Sequence, residues 1–220
     1  MAKKIVLFVI LAAIAAGGVF GQSVLSMGGG GFYYRDFQGS GFEVGDSSVS
    51  DRLEIFSKGY GLHAFVDVKY IEASLGVLWG IFTMLETEKY FGTADSQRLD
   101  IDLQSVNVSL LGKFPFKLGN IILFPAAGIE YQMIRSLIFS YTMFTDTYKF
   151  NSLWVRFGVG LDVSTSGRMY FRFTGLYGIK LYSEAEKEYE ERFKLLNPGE
   201  TIEKILGHGL LLKAAIGFKF

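Results

Sequence analysis

Along most of this chain apolar residues recur at every second position. In "LWVRFGVGLDV", residues Leu153, Val155, Phe157, Val159, Leu161 and Val163 share one face, while Trp154, Arg156, Gly158, Gly160 and Asp162 take the other. The next segment, "MYFRFTGLYGIKL", sets Met169, Phe171, Phe173, Tyr177, Ile179 and Leu181 against Tyr170, Arg172, Thr174, Gly178 and Lys180. Period two is the mark of a β-strand, whose successive side chains leave opposite sides of the sheet. Eight such runs are expected, at about 23–36, 58–69, 71–86, 101–114, 120–135, 150–163, 168–182 and 207–220. The alternation weakens in two places. Polar residues crowd at Asp102 to Ser105, where a bulge is expected, and four glycines at Gly28 to Gly31 soften the first run.

The connections alternate in length. "KYI", "FPFKLG" and "STSGR" are tight, whereas those after the first, third, fifth and seventh runs are longer. An up-and-down meander then carries all its long loops on one side and both termini on the other, the layout of an antiparallel eight-stranded barrel. The remaining question is which face looks inward. In the third run Glu72, Ser74, Gly76, Leu78 and Gly80 oppose Ala73, Leu75, Val77, Trp79 and Ile81. The first set makes a poor water-facing surface but suits a narrow lumen, where small residues must alternate with the few long ones. The bulky set carries no charge, as a lipid-facing surface requires, because Lys or Arg at mid-membrane costs roughly 2–4 kcal/mol. The fold class expected is therefore all-β, an eight-stranded antiparallel up-and-down transmembrane β-barrel. A water-soluble barrel with its apolar face inside is the alternative.

Composition narrows the function classes. Half of the 220 residues are hydrophobic, with 27 Gly and only 3 Pro. Twenty-two basic residues balance 22 acidic ones, so the chain has no electrostatic footprint for nucleic acid. The absence of cysteine removes disulfide frameworks, thiolate metal sites and thiol catalysis. The first residues, "MAKKIVLFVILAAIAAGGVFG", combine basic Lys3 and Lys4, an apolar run from Ile5 to Ala16 and small residues up to Gly21. This is the pattern of a secretory signal peptide over residues 1–21, leaving 22–220 as the barrel; the alternative, an uncleaved membrane helix, wants about 20 apolar residues.

The last strand must close the cylinder. Leu210, Leu212, Ala214, Ile216, Phe218 and Phe220 alternate with Lys213, Gly217 and Lys219. Closure satisfies every edge N–H and C=O, each of which costs several kcal/mol if left unpaired in hydrocarbon. The segment "KAAIGFKF" resembles the C-terminal signal of bacterial outer-membrane barrels, with Lys213, then Ala215 where glycine is usual, then Phe218 and Phe220. With the leader and the loop asymmetry, the chain from residue 22 onward resembles the small eight-stranded outer-membrane proteins of the OmpA, OmpX and OmpW type, from Gram-negative bacteria and spirochaetes. The resemblance implies a bacterial outer-membrane location with periplasmic termini, and outer-membrane lipid as surroundings. It also implies delivery by periplasmic chaperones and insertion by the barrel-assembly machinery, with Phe218 and Phe220 as the residues recognised. A monomer is expected.

The inward phase collects His63, Asp67, Lys69, Glu72, Lys113, Glu130, Arg156, Asp162, Arg172, Lys180, Lys213 and Lys219. Buried charges must pair, and counting up from the turns puts Glu130 beside Arg156 and Asp162 beside Arg172. A salt-bridged plug that rigidifies the barrel is the plain expectation, and an ion path the alternative. In the last outer loop Ser183 with Glu186 forms a capping box, Ala185, Tyr189, Phe193 and Leu196 share a helical face, and Asn197-Pro198-Gly199 ends the run. A short helix is expected there, with a long protruding hairpin as the alternative. After the fifth run, Phe139, Tyr141, Met143 and Phe144 either continue a strand or line an apolar mouth, as in OmpW-type proteins thought to pass small apolar molecules sideways into the bilayer. The first loop, residues 38–54, reads as Ser/Gly-rich and flexible.

An enzyme is the least favoured class. Only His63 and His208 are present; the last loop is able to bring Ser183 or a glutamate toward His208 at the outer rim of the last strand, but no local motif supports catalysis. No metal-ligand spacing, phosphate-cradling loop or dinucleotide fingerprint occurs, so no cofactor is expected. The function expected is a structural or surface-interaction barrel with a filled lumen. Alternatives are a narrow channel or lateral transporter for small apolar solutes and, as a minor one, a lipid-modifying enzyme.

Overall fold

The computed structural model describes residues 25–43, 49–90, 93–138, 151–165, 167–184, 203–204 and 207–220. The leader (1–21), the helix expected between Ser183 and Gly199 beyond Glu184, and the apolar mouth residues Phe139, Tyr141, Met143 and Phe144 lie outside them.

Eight long strands make the body: β1 (Leu25–Glu43), β2 (Val49–Val68), β3 (Ile71–Tyr90), β4 (Thr93–Lys113), β6 (Ile121–Ile138), β7 (Ser152–Ser164), β8 (Met169–Ser183) and β10 (His208–Lys219). Two short ones, β5 (Phe116–Leu118) and β9 (Glu203–Lys204), pair with β6 and β1. Each long strand is antiparallel to the next, and β10 pairs with β1 from Phe37↔His208 to Ser26↔Lys219, which closes the cylinder. The short-turn end is formed by Lys69-Tyr70, by the hairpin at Gly119-Asn120, where Gly119 holds φ 64°, and by the turn around Gly167. Both described termini lie at this end, where the Phe220 N–H donates to the Leu25 carbonyl at 2.8 Å.

Register fixes the geometry. A circuit across paired residues starts at Leu25 and passes Val68, Ile71, Gly112, Ala127, Phe157, Tyr177 and Leu210. It returns to β1 at Arg35, ten residues further along the strand. Eight strands with that stagger tilt by about 40° and leave an interior just wide enough for side chains.

Two differences from the sequence reading share one cause. The first loop is not irregular: β1 runs to Glu43 and β2 starts at Val49, paired through Ser50↔Glu43. Likewise β3 and β4 pair up to Tyr90↔Thr93. In these upper hairpins the ladder continues while the apolar alternation fades, because the outward residues Arg98, Asp100, Asp102 and Gln104 are exposed and polar. A strand pair standing clear of hydrocarbon has no need of a greasy outer face. The expected bulge is present between Gln104 and Ser105, where the extra residue, Arg135, belongs to the partner strand β6.

Glycine has a mechanical part inside. A Cβ on Gly160 would overlap the Phe124 ring, one on Gly217 the Tyr170 ring, and one on Gly61 the Phe32 ring. Each missing side chain makes the seat for a large one reaching across a narrow interior.

Candidate functional site: the lumen and the outer face

The lumen side chains stand in three tiers. Nearest the short-turn end is a cluster of five charges from five strands. Arg172 donates from Nε and Nη2 to the two oxygens of Asp162, both at 2.7 Å, from Nη1 to Glu72 at 2.7 Å, and from Nη2 to Asp67 at 2.6 Å. Lys113 Nζ lies 2.5 Å from Asp67 and 4.0 Å from Glu72. Rings of Phe65, Phe124 and Tyr170 surround the guanidinium, with Phe65 the closest at 4.7 Å. Two cations thus face three carboxylates in a space no more than 8% exposed at any member.

The middle tier holds Arg156, fully buried, with Nη2 2.8 Å from Glu130 and its guanidinium 4.4 Å from the Trp154 ring. Below it Lys213 donates to Ser74 at 3.2 Å, and Ser74 bonds Ser109 at 2.6 Å. His63 lies between the rings of Phe32 and Phe65, with centroids 6.0 and 6.1 Å away. Phe32, His63, Ser74, Asn107, Glu130 and Lys213 border a small cavity of mixed polar and apolar lining, about 10 Å³, room for a single water.

The upper tier centres on Asp36, which accepts hydrogen bonds from the hydroxyls of Tyr34 and Ser57 and lies 3.7 Å from Lys180 Nζ. A second chain runs from Trp154 Nε1 to Ser152, then to Gln132 and Ser105. Sequence reasoning missed Tyr34, Asp36 and Ser57. The signal was available, since Tyr34 and Asp36 share the parity of Ser26 and Phe32, but the four glycines interrupt that parity just below them.

Of the inward residues expected from sequence, Lys69 is elsewhere. It occupies the β2–β3 turn at φ 45°, exposed, with Nζ 4.7 Å from the Tyr70 ring. The two-residue turn ends the alternation at Val68, so parity could not be carried to position 69. Lys219 is at the lower rim, donating to Ser164 at 3.0 Å. Ala215 is buried facing inward, and Phe218 and Phe220 are exposed on the outside. Among the described residues no group of three His, Asp or Glu side chains is placed to hold a metal.

The outer face is the chemical opposite. Leu62, Leu75, Val159, Phe173, Leu212 and Ile216 all project outward. Aromatic belts bound this surface. At the short-turn end Tyr70 stacks on Phe114 and Phe114 meets Phe116, centroids 6.4 and 5.2 Å apart. Toward the other end a string rises across β7, β8, β10, β1 and β2 through Phe157, Tyr177, His208, Phe37 and Phe56, with centroids 5.0–6.2 Å apart. From Phe218 to His208, ten residues of a tilted strand climb ~25 Å along the axis, the height of a bilayer's apolar band on a barrel.

Charged interior, lipophilic exterior, a closed ladder and two aromatic belts define a transmembrane β-barrel. No protein-family model and no curated protein sequence matches the chain. Among solved structures it is similar to the outer membrane protein OprG from Pseudomonas aeruginosa, at 13% identity over 90% of this chain and 96% of that one, with a TM-score of 0.46. It is also similar to the outer membrane protease OmpT from Escherichia coli, at 6% identity over 90% and 97% of the two chains, TM-score 0.37. A third is the N-terminal β-barrel domain of Pseudomonas aeruginosa OprF, at 12% identity over 88% and 99%, TM-score 0.31.

Proposed function

We propose that this protein is an integral protein of a bacterial outer membrane that works as a closed, internally braced barrel, structural or surface-interacting, rather than as an open pore. The observation that carries this reading is the reach of Arg172. From β8 it bonds carboxylates on β2, β3 and β7 at once, so one side chain ties together walls on different sides of the lumen. Glu130–Arg156 and Asp36–Lys180 add two more barriers above it. The outer-membrane assignment is supported by the antiparallel, even-stranded, single-chain closure and the asymmetry of its two ends, which are the features of that class of barrel. Asp67, Glu72, Asp162 and Glu130 are each tied to Arg172, Lys113 or Arg156, which favours a bracing role over a catalytic one for these four carboxylates.

Planar-bilayer recording on the purified chain tests the proposal. The expected trace is flat across ±100 mV, while steady conductance steps at neutral pH would overturn the braced-lumen reading.

A further inference from the structure

Among the described residues, the first charges met on the outer face above the lower aromatic belt are Arg35 on β1 and Lys58 on β2. They stand directly opposite each other in the ladder, and both are exposed. Their neighbours on that face are apolar or aromatic, with Leu210 beside Arg35, Ile81 beside Lys58, and Phe37, Phe56 and His208 one pair higher. Neither forms an ion pair with a described carboxylate; the acids on this side of the wall are on β4, Asp102 one strand beyond Ile81 and Asp100, whose carboxyl Lys58 helps to hold below its usual value. Like charges directly opposite one another destabilise a strand pair, and cations at the edge of hydrocarbon persist by reaching polar headgroups. An anion held between them would offset both costs.

What lies beneath identifies the kind of anion. One pair lower, Tyr33 and Tyr60 face each other, 43% and 71% exposed, with phenol groups able to donate to the same ligand. Below them the outward positions are Gly31 and Gly29 on β1, with Ala214 and Ala64 on the neighbouring strands. A Cβ added at Gly31 would meet only the Gly61 carbonyl, at 3.7 Å. A shallow furrow therefore opens below the tyrosine pair and runs toward mid-membrane, walled by Leu62 and Ile216. A soluble anion would have no use for it, whereas an acyl chain would.

We propose that Arg35 and Lys58 bind the phosphate of an anionic membrane lipid, with one acyl chain lying along the Gly29–Gly31 furrow. The proposal rests on the membrane-barrel reading above, and it goes beyond that reading by assigning a lipid site.

The test uses the full chain folded in detergent micelles and titrated with phosphatidic acid, phosphatidylcholine or inorganic phosphate, with bound lipid read by native mass spectrometry. The expected result is preference for phosphatidic acid over phosphatidylcholine, lowered about tenfold or more in the Arg35→Gln/Lys58→Gln variant, where charge-assisted bonds are lost. Gly31→Leu, which fills the furrow and leaves both cations in place, is expected to lower it severalfold. Equal binding of the two lipids by the native chain, or undiminished preference in both variants, overturns the site. Displacement of phosphatidic acid by millimolar inorganic phosphate overturns the lipid assignment in favour of a soluble anion. Failure of the native chain to enter micelles as a heat-modifiable species would instead refute the membrane reading itself.

Discussion

Replacing Arg172 by Met leaves Asp67, Glu72 and Asp162 facing Lys113 alone, so the cluster goes from one excess negative charge to two. Methionine keeps much of the aliphatic stem against Phe65 and Tyr170, and the change is therefore mainly electrostatic. Removing one partner of a buried ion pair costs about 3–5 kcal/mol. Three carboxylates lose a donor here, in a site where Arg172 is 3% exposed, so we expect ~4 kcal/mol, on the order of a thousandfold in the unfolding equilibrium. Urea unfolding of the chain folded in bilayers, with the folded fraction read from heat-modifiable gel migration, measures it. Adding Asp67→Asn and Glu72→Gln to Arg172→Met leaves Lys113 against Asp162 alone, and more than half of the loss is expected to return. A loss under ~1 kcal/mol, or none recovered on neutralising the two acids, would show that the cluster does not brace the barrel.

The remaining predictions concern other parts of the molecule. Glu130→Gln strands the fully buried Arg156 and is expected to cost ~3 kcal/mol in the same urea assay. Val159→Arg, on the middle of the lipid face, is expected to cost roughly 2–4 kcal/mol, whereas Tyr60→Lys at the upper belt costs about 1 or less. Gly160→Ala drives a methyl group into the Phe124 ring and should cost about 1–3 kcal/mol. Gly112→Ala, whose Cβ would come no nearer than 3.5 Å to a carbonyl, is the near-neutral control. Above the membrane, hydrogen bonds from Arg98 and Thr83 hold the exposed Asp100 carboxyl below its ordinary value of 3.8. Its carboxylate therefore persists to lower pH than usual, and a carbon-detected NMR titration of Arg98→Gln should move the midpoint back up.

The parts of this fold that could be read from sequence are those set by the contrast between lipid and lumen. Between Ile71 and Ile81, or Leu153 and Val163, every second residue faces hydrocarbon, and the period-two pattern carries the strand directly. The contrast disappears above the upper belt, so Gln38–Glu43 and Thr87–Tyr90 looked like loop although their backbones remain paired. Pairs between adjacent strands, Glu130 with Arg156 and Asp162 with Arg172, follow from counting residues up from a shared turn. The bonds from Arg172 to Asp67 and Glu72 do not, because they cross the lumen between strands that are not neighbours. Their meeting depends on closure and on the ten-residue stagger, a property of the whole cylinder that no single segment encodes. Lys69 shows the converse, since parity holds only while the chain stays in a strand.

The chain's two tryptophans sit on opposite sides of the barrel wall. Trp79 is 38% exposed on the outer face, and Trp154 is wholly enclosed within. Quenchers carried on brominated lipid tails will therefore reach one indole and spare the other. Single-tryptophan variants, Trp79→Phe and Trp154→Phe, would let arrival in the bilayer and consolidation of the interior be timed as separate optical events in one refolding experiment.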